Sequence, residues 1–119
     1  MRLIARFQLM FLLCLLFFLG VVKITASVNE SVDDLVMHFL AYMVLMCSGL
    51  FAFPHRMYTA KLFSVFLTYS IFIECIQYFL PYRSFALLDI FANSAGLLVG
   101  ISLSLFLLPL FKYVHAYGR

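Results

Sequence analysis

Long runs of apolar residues, interrupted by few strongly polar side chains, alternate with short polar connections along the chain. The runs are continuous and do not alternate with a period of two, so they predict α-helices and not the strands of a β-barrel. A helix needs about 20 apolar residues to cross a hydrocarbon core of roughly 30 Å. The pattern predicts four such helices, over residues 7–24, 35–53, 61–80 and 85–111. We therefore expect an all-α integral membrane protein, an antiparallel bundle of four transmembrane helices.

The three connections between these helices are short and differ in charge. Residues 25–34 are polar and acidic, residues 54–61 are basic, and residues 81–84 form a tight turn in which Pro81 stops the preceding helix. None of them has room for a soluble domain. We expect a single transmembrane domain over residues 1–119.

Positively charged residues concentrate on one side of this arrangement. Cytoplasmic loops of membrane proteins carry an excess of Lys and Arg. One side holds Arg2, Arg6, Arg56, Lys61, Lys112 and Arg119, and the other holds Lys23 and Arg83. We therefore expect a multi-pass protein with both termini in the cytoplasm, N-in and C-in.

The first apolar segment has a second interpretation. Arg2 and Arg6 precede it and small residues follow it, which is also typical of a cleaved signal peptide. Its apolar core is slightly longer than the apolar region of such peptides, which has about 7–15 residues. We expect the first helix to be retained as a membrane anchor. Cleavage would leave three spans with the same external face.

The composition excludes the soluble and the disordered classes. Hydrophobic residues make up 66% and charged residues 11% of the chain, against about 45–50% and about 25% in soluble domains. The net charge of +3 is too small and too scattered for a nucleic-acid surface. We therefore expect the lipid bilayer, and no nucleic acid, as a partner. The three cysteines lack the paired spacing of a disulfide framework or a zinc site.

Polar and ionisable residues within or beside the predicted spans form the candidate functional site. Such groups are costly in a membrane, and they usually face the interior of a bundle or a water-filled cavity. The predicted helix directions place their carboxyl, imidazole, amide and guanidinium groups in the outer half of the membrane. We refer to them as the polar cluster, which comprises Asp34, His38, Tyr42, Glu74, Gln77, Arg83, Asp89 and Asn93.

The fourth helix has one narrow face that combines polar and glycine positions. Asp89, Asn93, Gly96 and Gly100 fall within about 60° of one another at the α-helical period. The two glycines form a GxxxG pattern, which predicts close helix packing.

Each polar group also has a purely structural interpretation. Asp34 could cap the second helix, and Asp89 could favour the positive end of the fourth helix dipole. Together, the groups could form a polar lock in which Arg83 pairs with Glu74 or Asp89 and holds the bundle together.

The same residues, in this order, resemble the motifs of the VanZ-like family of small bacterial membrane proteins. The resemblance covers roughly residues 30–104. One position differs, because Leu35 stands where the family commonly has a lysine directly after an aspartate. The matching pieces are Asp34-Leu-Val-Met-His38 with Tyr42, Glu74-Cys-Ile-Gln77, Arg83, and Asp89-Ile-Phe-Ala-Asn93-Ser-Ala-Gly96 followed by Gly100.

The resemblance implies the bacterial cytoplasmic (inner) membrane and a role in the cell envelope. The founding member of the family is linked to low-level teicoplanin resistance, and the family name supplies no defined reaction. We expect this chain to bind or translocate an amphiphilic envelope molecule, such as a lipid-linked cell-wall precursor or a lipoglycopeptide.

Two other classes of function remain open. One is a scaffold protein with a polar lock. The other is an intramembrane hydrolase with Glu74 or Asp89 as general base and His38 as acid-base partner, although we favour a protein that is not an enzyme. No cofactor is expected. A metal ion held by Asp34, His38, Glu74 and Asp89 is chemically feasible, but the chain has no HExxH-type spacing, so we expect none.

The charge balance and the size of the chain bear on its partners. Three carboxyl groups against one guanidinium suit a cationic or sugar group, or proton coupling, at least as well as a phosphate. A monomer of 119 residues leaves little room for a conduit. We therefore expect a homo-oligomer or a larger membrane partner, with the glycine face as one candidate contact.

Overall fold

Four α-helices make up the described part of the chain in the computed structural model. They are α1 (Arg2–Val21), α2 (Val32–Ala52), α3 (Met57–Phe79) and α4 (Leu87–Tyr117). Each is long enough and apolar enough to cross a membrane, which confirms the predicted all-α bundle of four transmembrane helices. The structure describes residues 2–21, 32–55, 57–80 and 87–117, with side chains for residues 3–20, 35–55, 57–80 and 87–110.

The helix ends differ from the ends of the apolar runs. α1 begins at Arg2 instead of residue 7, and α4 continues to Tyr117 instead of ending at residue 111. Hydropathy marks the part of a helix that suits a hydrocarbon environment. The backbone hydrogen bonds between residues four apart do not depend on side-chain polarity, so they continue into the flanking polar residues. The helices are therefore longer than the apolar runs.

Hydrogen bonds between α1 and α3 fix their relative direction. The Tyr69 hydroxyl donates to the Leu13 carbonyl oxygen, and two turns further along both helices the Gln77 side chain donates to the Gly20 carbonyl oxygen at 2.8 Å. α1 and α3 are therefore parallel to each other. The helix between them in sequence, α2, runs in the opposite direction, as expected for short connections.

Among the described residues, α2 and α4 share the most extensive interface, and glycines bring these two helices together. A Cβ at Gly96 would lie 2.3 Å from the Phe39 carbonyl oxygen, and a Cβ at Gly100 would lie 2.8 Å from the Met43 carbonyl oxygen. Gly96 faces Phe39, and one turn later Gly100 faces Met43. Because both residue numbers rise together, α2 and α4 are parallel. The importance of the two glycines for stability stays a prediction.

Apolar side chains fill the centre of the bundle and also cover its outside. Leu45, Met46, Phe66 and Leu97 are fully buried, and partly buried residues of α1 pack against the same core. Large apolar side chains are exposed on all four helices. An apolar exterior of this extent is the surface expected to face lipid.

The two ends of the bundle differ in chemistry. At one end, the Arg6 guanidinium lies 5.0 Å from the Phe53 ring centroid and the Lys61 amine lies 5.9 Å from the Tyr58 ring centroid. This basic end contains the start of α1, the end of α2 and the start of α3. The described ionisable residues of the polar cluster lie toward the opposite end, where α2 and α4 begin and α3 ends.

Candidate functional site

Three helices bring ionisable groups together at this opposite end. His38 lies near the start of α2, Glu74 near the end of α3 and Asp89 in the first turn of α4. One ring nitrogen and one oxygen from each carboxylate all lie within 4.8 Å of one another. His38 Nε2 lies 3.6 Å from Asp89 Oδ2. The three groups are far apart in sequence, so tertiary packing alone creates their proximity.

The Asn93 side chain holds His38 in place. Its Oδ1 lies 3.0 Å from His38 Nδ1, and its Nδ2 donates to Ser70 Oγ at 2.5 Å. An amide oxygen can only accept, so His38 Nδ1 donates the proton in this contact. The other ring nitrogen, Nε2, then faces Asp89, as an acceptor in the neutral imidazole and as a donor in the imidazolium.

The residues of this site differ in their exposure. The side chains of His38 and Asp89 are 22% and 14% exposed, whereas Glu74 is 1% exposed and Asn93 is equally buried. A carboxyl group so deeply buried must be balanced by a proton, a cation or hydrogen bonds. A molecule at the bundle surface can contact the imidazole and the outer carboxylate, with the inner carboxylate beneath them.

Tyr42 and Ser70 extend the hydrogen-bonded network below His38. Tyr42 lies one turn further along α2 and is buried, and its hydroxyl hydrogen-bonds with Ser70. Ser70 therefore contacts side chains from both α2 and α4. Ser70 is not among the site residues predicted from the sequence. Its spacing of four residues from Glu74, on the face that continues to Gln77, is the signal that would have identified it.

Gln77 shares this face of α3 but bonds to another helix. Its side chain is buried, and its amide nitrogen donates to the Gly20 carbonyl oxygen of α1. That contact connects α3 to α1 and does not involve His38, Asn93 or Asp89.

Two members of the polar cluster fall outside the described side chains. Asp34 belongs to the first turn of α2, but its side chain is not among those described, and Arg83 lies in a segment outside the described residues. Their contribution to the site, including an ion pair of Arg83 with Glu74 or Asp89, stays a prediction.

Comparison with known protein families identifies the chain. A family model described as VanZ/LLP1 matches residues 5–109, a range that includes parts of all four helices and the whole described site. The chain belongs to the VanZ/LLP1 family. The resemblance inferred from the sequence motifs is thereby confirmed. No curated protein and no solved structure gives a significant match to this VanZ/LLP1 chain.

Family membership and helix composition together define the class of this VanZ/LLP1 protein. It is a multi-pass membrane protein whose four apolar helices suit a lipid bilayer. Its candidate site offers one imidazole, two carboxyl groups and one amide in a largely apolar setting. Polar contacts are stronger there than in water because the local dielectric constant is low.

Proposed function

We propose that this protein binds or handles an amphiphilic molecule of the bacterial envelope through the polar cluster. The ligand class is a lipid-linked cell-wall precursor or a lipoglycopeptide, whose polar head lies in the outer leaflet. The observation that carries the proposal is the convergence of His38, Glu74 and Asp89 from three different helices within 4.8 Å. Ionisable groups inside membrane spans are rare and usually mark a substrate or ion pathway.

The exposure of the site suits a ligand with a polar head and an apolar tail. His38 and Asp89 are partly exposed, and the exposed residues Met37, Leu88 and Phe91 lie in the same helical turns. The head of an amphiphile would hydrogen-bond with the imidazole and the outer carboxylate, while its tail would lie along these apolar side chains in the bilayer.

The proposed location is the bacterial cytoplasmic membrane, with both termini inside and the site in the outer half. The positive-inside rule places the basic end, with Arg6 and Lys61, at the cytoplasmic face. The described site lies toward the opposite end of the bundle, which supports an external position for it.

The test compares conservative neutral variants of the two carboxyl groups with a matched control. Glu74→Gln and Asp89→Asn keep the shape of each side chain and much of its hydrogen bonding. Asp33→Asn makes the same chemical change in the first turn of α2, outside the polar cluster. We expect all three variants to keep the thermal transition of the wild type in detergent.

We expect Glu74→Gln and Asp89→Asn, but not Asp33→Asn, to lose the envelope phenotype. The phenotype is survival under a lipoglycopeptide or a change in the level of lipid-linked precursors. Native mass spectrometry of the same preparations measures whether such a lipid co-purifies with wild type and is lost from the two variants. Stable variants that keep both the phenotype and the bound lipid would contradict the proposal.

A scaffold role is the second candidate, and particular hydrogen bonds favour it. Gln77 donates to α1, and Asn93 donates to Ser70 of α3, so part of the polar cluster connects helices to each other. If the cluster served only this purpose, Glu74→Gln would lower the stability of the bundle, and every loss of phenotype would follow the loss of folded protein.

A further inference from the structure

The distances among His38, Glu74 and Asp89 suit the ligands of a metal ion. Two ligands at about 2.0–2.1 Å from a tetrahedral Zn²⁺ ion stand roughly 3.3 Å apart. His38 Nε2 and Asp89 Oδ2 are 3.6 Å apart, and one potential ligand atom from each of His38, Glu74 and Asp89 lies within 4.8 Å of the other two. Three side chains at this spacing form a candidate three-ligand set.

The orientation of the imidazole provides a second and independent indication. A histidine that binds a metal through one ring nitrogen usually donates its other N–H to a carboxylate or a carbonyl oxygen. His38 makes this contact to Asn93 Oδ1 at 3.0 Å, and Ser70 in turn holds the Asn93 amide. The neutral imidazole therefore directs the lone pair of Nε2 toward the Asp89 carboxylate.

We infer that His38, Glu74 and Asp89 bind a first-row divalent cation, Zn²⁺ by preference, with Asn93 as the residue that positions His38. One nitrogen and two carboxylate ligands favour Zn²⁺ over Mg²⁺ and Ca²⁺, which take oxygen ligands. Three protein ligands leave one coordination position open. Because the side chains of His38 and Asp89 are partly exposed, an exogenous group can approach the site from the bundle surface.

No local spacing in the sequence could have indicated this site, because each ligand comes from a different helix. The expectation of no metal rested on the missing HExxH-type spacing, which applies only to ligands within one helix. A divalent cation would also change the charge balance of the site, since it offsets the two carboxylates. On the proposed function, a phosphate or carboxylate of the ligand head would then be accepted as readily as a sugar.

The experiment is a titration of the purified protein, without a polyhistidine tag, in detergent after treatment with a chelator. Isothermal titration calorimetry with ZnCl₂ measures affinity and stoichiometry, and visible absorption of the Co²⁺ form reports the ligand field. We expect one ion per chain, and Co²⁺ bands that disappear when Zn²⁺ is added. Folded wild-type protein that binds neither ion overturns the inference, and this arm requires no variant.

Variants assign the ligands. His38→Ala, Glu74→Gln and Asp89→Asn should each weaken Zn²⁺ binding by more than about 100-fold, and Asn93→Ala by about 10–100-fold, as for positioning residues at other metal sites. The control is His55→Ala, which removes an exposed histidine at the basic end and should leave binding unchanged. Binding that persists in His38→Ala, or that is lost in His55→Ala, overturns the inference.

This titration is separate from the test of the proposed function, because it contains no lipid ligand. A wild-type protein that binds no Zn²⁺ but still co-purifies with an envelope lipid would overturn the metal site alone. Zn²⁺ binding by a protein that retains no such lipid would leave the metal site standing and contradict the proposed ligand class.

Discussion

Gly96 of α4 lies directly against the backbone of Phe39 in α2. A Cβ at position 96 would lie 2.3 Å from the Phe39 carbonyl oxygen and 3.1 Å from the Met43 backbone nitrogen. Backbone atoms within a helix cannot move as cheaply as the end of a side chain, so a larger residue must push the two helices apart. Phe39 is adjacent to His38, and Gly96 follows Asn93 by one turn. This contact therefore sets the distance across which His38 and Asn93 meet.

Gly96→Ala should lower the free energy of unfolding by about 1–3 kcal/mol, the usual cost of overpacking. Denaturant titration in mixed micelles measures it. Ala95→Leu enlarges the exposed neighbouring residue and should leave stability unchanged. If Gly96→Ala kept its stability and altered only self-association, the glycine face would be a contact between copies and not within the bundle.

Two fully buried serines should respond oppositely to replacement by alanine. Ser70 accepts a hydrogen bond from Asn93, whereas the Ser104 hydroxyl has no hydrogen-bond partner among the described residues. Ser70→Ala leaves the Asn93 amide unsatisfied and should cost roughly 1–2 kcal/mol. Ser104→Ala removes an unsatisfied polar group and should be neutral or stabilising. Equal losses of thermal stability in the two variants would contradict the role assigned to Ser70.

The sequence predicted the helices and pointed to three ionisable residues that the structure brings together, because the physical signals for both are strong. A long apolar run has few alternatives to a membrane helix. Ionisable residues such as His38, Glu74 and Asp89 are costly enough in such a run that each one requires an explanation. Their positions at the same end of alternating helices predicted that they would meet, and the structure brings these three together.

The sequence carries no comparably strong signal for Ser70 or for the hydrogen-bond partner of Gln77. A serine in a membrane helix can satisfy its hydroxyl with the backbone of its own helix, as Ser94 and Ser102 do here, so its presence alone does not indicate a site. The partner of Gln77 depends on where α1 packs. The apolar pattern of α1 contains no information on that, because almost all of its residues are apolar.

The packing of α1 should depend on two hydrogen bonds from α3. Tyr69 and Gln77 donate to carbonyl oxygens of α1, and α1 contributes little to the buried core. Each such bond is worth about 0.6 kcal/mol on average in a membrane protein. The double variant Tyr69→Phe/Gln77→Leu should therefore lose roughly 1 kcal/mol of stability.

The readout specific to α1 is hydrogen–deuterium exchange, which should become faster in α1 of the double variant and stay unchanged in α2 and α4. Tyr58→Phe removes a hydroxyl at the basic end and is the control. Faster exchange throughout the bundle would show instead that Gln77 belongs to the central site.

The orientation in the membrane can be tested with a thiol reagent that does not cross the membrane. In a background without Cys14, Cys47 and Cys75, Asn29→Cys should react in intact cells, because residues 25–34 are expected outside. Tyr58→Cys, at the basic end, should react only after the membrane is permeabilised. The reverse pattern would place the basic end outside, against the positive-inside rule, and would move the site to the inner half of the membrane.

A double substitution of Arg83 and Glu74 separates a polar lock from a ligand site. If the two side chains pair, Arg83→Gln leaves a buried carboxylate without its partner charge and should cost about 3–5 kcal/mol. The pair Arg83→Gln/Glu74→Gln has no uncompensated charge, so it should recover most of the thermal stability. On the proposed function it should not recover lipid co-purification, because the site still lacks the Glu74 carboxyl group beneath His38 and Asp89. Recovery of stability and of lipid binding together would show that the charges serve only to hold the helices, and the proposal of a binding site would fail.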